Sequence, residues 1–137
     1  MRVPLACVAD AATISSDGKL YIMGEFNCIH SSSLPVVWEE MDYVARLEFD
    51  AGDERDLQIR LAILDPDMKV IAPPLEMTAK LGEVEAGVAA NPPLVMRIQH
   101  AVFQEFGQHV IQLRVNGKVL ASTYIHIVRR PPPAAPA

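Results

Sequence analysis

From His109 to Val128 the chain reads HVIQLRVNGKVLASTYIHIV, two alternating apolar runs on either side of Asn116-Gly117. Side chains of a strand alternate between faces, so this period-two pattern predicts two antiparallel strands joined by a tight turn. The parity of the numbering sharpens the prediction. Ile111, Leu113, Val119, Ala121, Thr123, Ile125 and Ile127 are all odd, and they share one face only if paired residue numbers sum to an even value. A two-residue Asn-Gly loop gives an odd sum and sets Ile111 opposite Ser122. The pattern therefore favours a three-residue loop, Val115-Asn116-Gly117, with Gly117 left-handed in a bulge. Arg114 and Lys118 then flank the turn on the wet face, together with Gln112, Ser122 and His126.

The same reading carries upstream. Val3–Ala9 is an apolar run that continues through Ala11–Ser16 to the turn signal Asp17-Gly18. Lys19–Ile29 reads as one strand, with Leu20, Ile22, Phe26 and Cys28 inward and Gly24 interrupting that face, which suggests a bulge or a close approach by another backbone. His30–Val37 is a Ser-rich, Pro-containing connection, followed by Trp38, an acidic patch and a strand Tyr43–Asp50. Asp56–Leu64 alternates most cleanly, with Leu57, Ile59, Leu61 and Ile63 inward and Gln58 and Arg60 outward. A short strand is expected at Met68–Ile71, stopped by Pro73-Pro74. Leu75–Ala90 fits a frayed strand, a loop or one helical turn. A strand Leu94–His100 and a corner Phe103–Gly107 lead into the final hairpin. Seven or eight short strands without helical alternation predict an all-β fold, an antiparallel immunoglobulin-like sandwich, with a small β-barrel as the alternative.

A chain of 137 residues, half of them hydrophobic, is sized for one domain with a real core. That domain is expected at residues 1–128, with a Pro-rich tail at 129–137. A formal charge of −5 lacks the cationic surface that phosphate neutralisation needs, so nucleic acid is not expected as a partner. The charge is uneven: Trp38–Asp56 holds eight acids against two bases, and Arg97–Arg130 five bases against one acid. Self-association is one reading of that asymmetry, and two solvated faces of a monomer is the other. No apolar run reaches membrane-spanning length. The start, MRVPLACVADAATI, is interrupted by Pro4 and Asp10 and makes a poor secretory leader, so a cytoplasmic location, or one inside an assembled particle, is expected. Cys7 and Cys28 build no disulfide framework and read as reduced core thiols.

Ala9-Asp10 followed by Asp17-Gly18-Lys19-Leu20-Tyr21-Ile22-Met23-Gly24-Glu25-Phe26, and Val115-Asn116-Gly117-Lys118 followed by Ala121, together resemble a family of small bacterial proteins of unknown function. The resemblance implies a β-sandwich and no activity. Many sandwich domains carry Gly-x-Tyr at the entry to the penultimate strand. Here the triplet is Gly107-Gln108-His109, where a histidine N–H can replace the tyrosine hydroxyl at the corner.

Candidate chemistry is sparse. His30, His100, His109 and His126 form neither His-x-His nor His-Glu-x-x-His, and His109 and His126 fall on opposite parities of the hairpin, so no metal or cofactor is expected. Asp53, Glu54, Asp56, Asp65 and Asp67 sit in turns that would hold calcium if they converged at one end of the sandwich. Ser31-Ser32-Ser33 lacks a nucleophile turn and an identifiable base. The tail RRPPPAAPA is suited to polyproline II, and Arg130, Pro133 and Pro136 have the spacing that aromatic grooves read. The residues thus favour a non-catalytic interaction or assembly module with a protein partner or self-association, such as a component or decoration of a virion or shell. A calcium- or small-ligand-binding sandwich is the first alternative, and an enzyme of unrecognised type the second.

Overall fold

The computed structural model describes residues 1–82 and 90–132. Nine strands are present among them: β1 (Arg2–Ile14), β2 (Leu20–Phe26), β3 (Cys28–Ser31), β4 (Val36–Glu48), β5 (Asp56–Leu64), β6 (Leu75–Lys80), β7 (Pro93–Phe103), β8 (Gly107–Val115) and β9 (Lys118–Arg129). They form two sheets, in the orders β2-β1-β4-β7 and β3-β9-β8-β5-β6. All pairings are antiparallel except that of β3 with β9. Successive crossings from sheet to sheet between β4 and β5, β6 and β7, and β7 and β8, with a parallel strand against β9, give the immunoglobulin-like sandwich rather than a closed barrel.

The core lies between the sheets. Val8, Met41, Tyr43, Ala45, Leu47, Met96 and Ile98 from one sheet meet Leu57, Ile59, Leu61, Ile111, Leu113, Ile125 and Ile127 from the other. β5 has the expected bounds, and it alternates as far as Leu61, where its outer face is wet; the outward Ala62 and Leu64 are buried. The strand expected at Tyr43–Asp50 begins instead at Val36. It is flanked by β1 and β7, so the outward Asp42 and Val44 are as buried as the inward Tyr43, and alternation is lost.

Three further expectations are corrected. Lys19–Ile29 is two strands, broken at Asn27 where the chain passes from the first sheet to the second; His30 and Ser31 belong to the second of them. Met68–Ile71 contributes only a bridge between Val70 and Leu64, with Met68 in a left-handed turn (φ 62°). The hairpin loop has two residues, Asn116 and Gly117, both at positive φ (51° and 81°), and Val115 pairs with Lys118. The extra residue demanded by parity sits farther along at Leu120, between the pairs Arg114–Val119 and Leu113–Ala121. Beyond the bulge the sum is even, as the apolar pattern requires. Before it the face is reversed, so Val119 is exposed and Leu120 half-buried. Of Leu75–Ala90, the first six residues form the edge strand β6 and Ala90 bridges Phe49; Val84, Gly87 and Val88 lie outside the described residues.

Candidate functional site

The parallel strand β3 covers only part of β9. Its four residues pair with His126–Arg129, and among the described residues no strand covers the same edge from Lys118 to Tyr124. The His126 N–H donates to Asn27 O and the Arg130 N–H to Ser31 O, both at 2.8 Å. Beyond the bulge at Leu120, even-numbered residues of β9 therefore direct their backbone groups away from β8. By the period of a strand, the N–H and C=O of Ser122 and Tyr124 point into the uncovered edge. The stretch is about 20 Å long; Lys118 and the bulge at Leu120 protect its start, and beyond Leu120 it contains neither proline nor charge as far as Tyr124.

A groove of about 550 Å³ runs beside this edge, between β9 and the first sheet; Val3, Phe26 and Leu120 give it apolar wall, and Glu25, Asn27 and His126 give it polar wall. Tyr43 is fully buried, and its hydroxyl has no hydrogen-bond partner. Burial pushes its pKa from 10.0 up to about 12; Thr123, on the groove wall, opposes the rise but falls outside hydrogen-bond geometry. Cys7 also lines the groove, and burial, then the nearby Glu25, raises its thiol pKa.

Two larger depressions, of about 720 and 650 Å³, lie over β5 and β6 on the outer face. Their polar groups are partly engaged by the hairpin turn: Asn116 Oδ1 accepts the Gln58 N–H at 2.8 Å, and its Nδ2 donates to Glu54 and to Asp56 O, each at 3.3 Å.

The acids expected to converge do not all do so. Asp53, Glu54 and Asp56 lie at one end of β5 and Asp65 and Asp67 at the other, about 26 Å away. Asp65 and Asp67 instead approach Glu105, with ligand oxygens within 4.8 Å of one another. Asp65 Oδ1 already accepts the N–H groups of Asp67 and Lys69 at 2.9 Å each, as an Asx turn does. Asp53 meets the N-terminal amine at 3.1 Å. The Asp50 N–H, then that amine, hold its carboxyl below the usual carboxylate range.

The charge asymmetry is partly answered inside the molecule. Arg97 reaches Glu40 at 2.9 Å and Asp42 at 3.3 Å, and Arg2 pairs with Glu48 and Asp50. Buried polar side chains also serve the fold. His109 is fully buried, lies edge-on to Phe103 with ring centroids 5.0 Å apart, and places Nδ1 3.2 Å from Gly107 O, the corner contact expected for it. His100 is exposed and pairs with Glu39 at 3.0 Å.

Cys28 is not a core thiol. It is half-buried on the outer face, 3.5 Å from His30 Nε2, and its cross-strand partner is His126. Both cysteines are free. The Ser31 hydroxyl donates to Ser33 O at 2.9 Å within the connection. Arg129 stacks over Phe106 at 5.1 Å, and Arg130 is exposed with its N–H held by Ser31. Pro133 and Pro136 lie outside the described residues. Sequence reasoning missed the uncovered edge, because only the length of β3 against β9 reveals it.

A sequence profile of a family of unknown function, DUF6941, matches residues 4–128. No curated protein matches the chain. Among solved structures, an immunoglobulin-like protein from Pseudomonas aeruginosa is similar at 16% identity over 92% of this chain and 94% of that one, with a TM-score of 0.38. An alkylpurine DNA glycosylase from Pseudomonas fluorescens, bound to DNA with an abasic-site analogue, is similar at 16% identity over 90% of this chain, with a TM-score of 0.42. The chain spans 30% of that glycosylase's length.

Proposed function

This chain belongs to the DUF6941 family of unknown function, and from that premise we propose that it is a non-catalytic interaction module that takes an extended segment of a partner protein along the uncovered half of β9. The observation that carries the reading is the shortness of β3, four residues against the twelve of β9, which leaves the backbone groups of Ser122 and Tyr124 on an open edge beside a groove of mixed polar and apolar lining. An added strand gains main-chain hydrogen bonds from such an edge, and alternate side chains gain burial in the groove. A second copy fits less well. In a two-fold pairing centred on Ser122, Ile125 falls opposite Val119, and the edge is already occupied from His126 onward by the bond to Asn27.

Engagement of Asp42 within the fold supports a binding role over catalysis, and His109 is held at Nδ1 by Gly107 O while its Nε2 is buried without a partner. Two free thiols agree with a reducing, cytoplasmic setting, and no helix among the described residues is long and apolar enough to cross a membrane.

The test is selection from a displayed library of short extended peptides, followed by amide hydrogen exchange on the complex. Binders are expected to protect Ser122 and Tyr124 and to lose affinity in Ser122→Pro, which removes an outward N–H while leaving the ladder to β8. A chain ending at Arg130 is expected to bind equally. Binders that protect another surface, or that need the tail, would overturn the proposal, as would a library yielding none.

A further inference from the structure

The outer face of the second sheet brings together a thiol and two imidazoles that no sequence motif connects. Cys28 and His30 are two apart on β3 and so point to the same side, opposite the buried Ile29. Across the parallel ladder the partner of Cys28 is His126, which stands on the same face and is exposed. Neighbouring strands are about 4.8 Å apart, so the three side chains leave the sheet side by side.

The spacing of Cys28 and His30 suits a metal. Tetrahedral zinc holds a thiolate at about 2.3 Å and an imidazole nitrogen at about 2.0 to 2.1 Å, which sets sulfur and nitrogen about 3.5 Å apart. Cys28 Sγ and His30 Nε2 are separated by 3.5 Å. That distance also suits a weak S–H···N hydrogen bond, but such a bond gives His126 no role. We propose that Cys28, His30 and His126 bind a borderline or soft transition-metal ion, zinc(II) being the representative, with the fourth position open to solvent or to a ligand. Binding replaces the thiol proton by the metal and releases that proton to solvent. The His126 nitrogens do not lie within 4.8 Å of both other ligand atoms, so the exposed His126 side chain must change rotamer to complete the set. The histidines taken alone gave no metal motif, because the third ligand type is a cysteine and the ligands come from strands far apart in sequence. The site uses outward side chains at the covered end of β9 and docking the backbone of the other half; the two share one residue, His126, which also borders the groove.

The experiment is titration of the full, reduced chain with zinc(II) against a chromophoric chelator, paralleled by cobalt(II) absorption. One equivalent is expected, with a thiolate-to-cobalt charge-transfer band. Cys28→Ser is expected to abolish the band and to weaken zinc by at least about 100-fold, the upper end of what even outer-shell changes cost. His126→Gln is expected to weaken zinc by at least about tenfold. Cys7→Ala and Asp65→Asn are expected to retain both band and affinity. Binding unchanged by His126→Gln, a band lost with Cys7, affinity lost with Asp65, or no binding at all would each overturn the proposal.

Discussion

The backbone N–H of Ala12 donates to Asp42 Oδ2 at 2.8 Å, so a side chain of β4 completes the hydrogen bonding of a strand that has already left its side. β1 pairs with β4 only as far as Ala9, after which its pairing is with β2 alone. The Asp42 carboxylate fills the opening; its Oδ1 meets Arg97, whose guanidinium is held charged first by the hydrogen bond to Asp42 and then by Glu40. Asp42→Ala leaves a partly buried N–H without an acceptor, and a loss of about 2 kcal/mol is expected in denaturant unfolding. Asp42→Asn keeps an acceptor oxygen and should lose less. Equal losses for the two would show that charge, not the bond to Ala12, is what matters.

Gly24 sits at φ +71°, and a Cβ placed there would lie 2.5 Å from Asp10 Oδ2. The close approach inferred from the glycine is therefore made by a side chain rather than by a backbone. Gly24→Ala is expected to destabilise by about 1 to 2 kcal/mol, from the left-handed backbone and the contact together. Adding Asp10→Ala removes the carboxylate but leaves the residue 10 Cβ, 3.1 Å from the new methyl, and the backbone strain, so thermal unfolding of the double variant should recover only in part. Full recovery would locate the whole cost in the carboxylate.

Tyr43 predicts an alkaline limit. Its folded pKa, about 12, lies above the 10.0 of an unperturbed phenol because burial penalises the phenolate. The folded state holds the proton more tightly, so the contribution is complete below pH 10 and is lost as pH rises towards 12. Tyr43→Phe should flatten the pH dependence of stability in that window. At neutral pH it should stabilise by about 1 kcal/mol, since the hydroxyl removed is buried and unpartnered. A destabilised Tyr43→Phe chain at neutral pH would mean that the Thr123 hydroxyl, or a water, satisfies the phenol in solution.

How much was legible depended on whether a strand had one wet face. β5 did, and Leu57, Ile59, Leu61 and Ile63 gave its bounds and orientation. β4 is buried on both faces from Met41 to Ala45, and ahead of that Glu39 and Glu40 are exposed in succession, so its first half carried no clean period and was read as the end of a connection and an acidic patch. Parity detected an extra residue in the last hairpin but not its place: Asn-Gly kept its ordinary two-residue turn, and Leu120 absorbed the offset. The break at Asn27 was hidden because Cys28 extends the even apolar series of Leu20, Ile22 and Phe26, although the buried parity switches there to the odd Ile29. With it went both the uncovered edge and the meeting of Cys28 with His126, which follow from the register of β3 on β9.

That register makes a residue-by-residue prediction for the free protein. His126 donates its N–H to Asn27, whereas Ser122 and Tyr124 present theirs to the uncovered edge; Thr123 and Ile125, facing the other way, donate to β8 through the pairs Thr123–Ile111 and Ile125–His109. Native-state hydrogen exchange should therefore alternate along β9, fast at Ser122 and Tyr124 and slow at Thr123, Ile125 and His126. The contrast should be several orders of magnitude, because ladder amides in a sandwich core open only through larger unfolding events while edge amides exchange directly with solvent. A peptide seated on the edge should slow Ser122 and Tyr124 alone and leave the odd positions unchanged. Slow exchange at Ser122 and Tyr124 in the isolated chain would mean that another segment already pairs there, and the edge would then be unavailable to a partner.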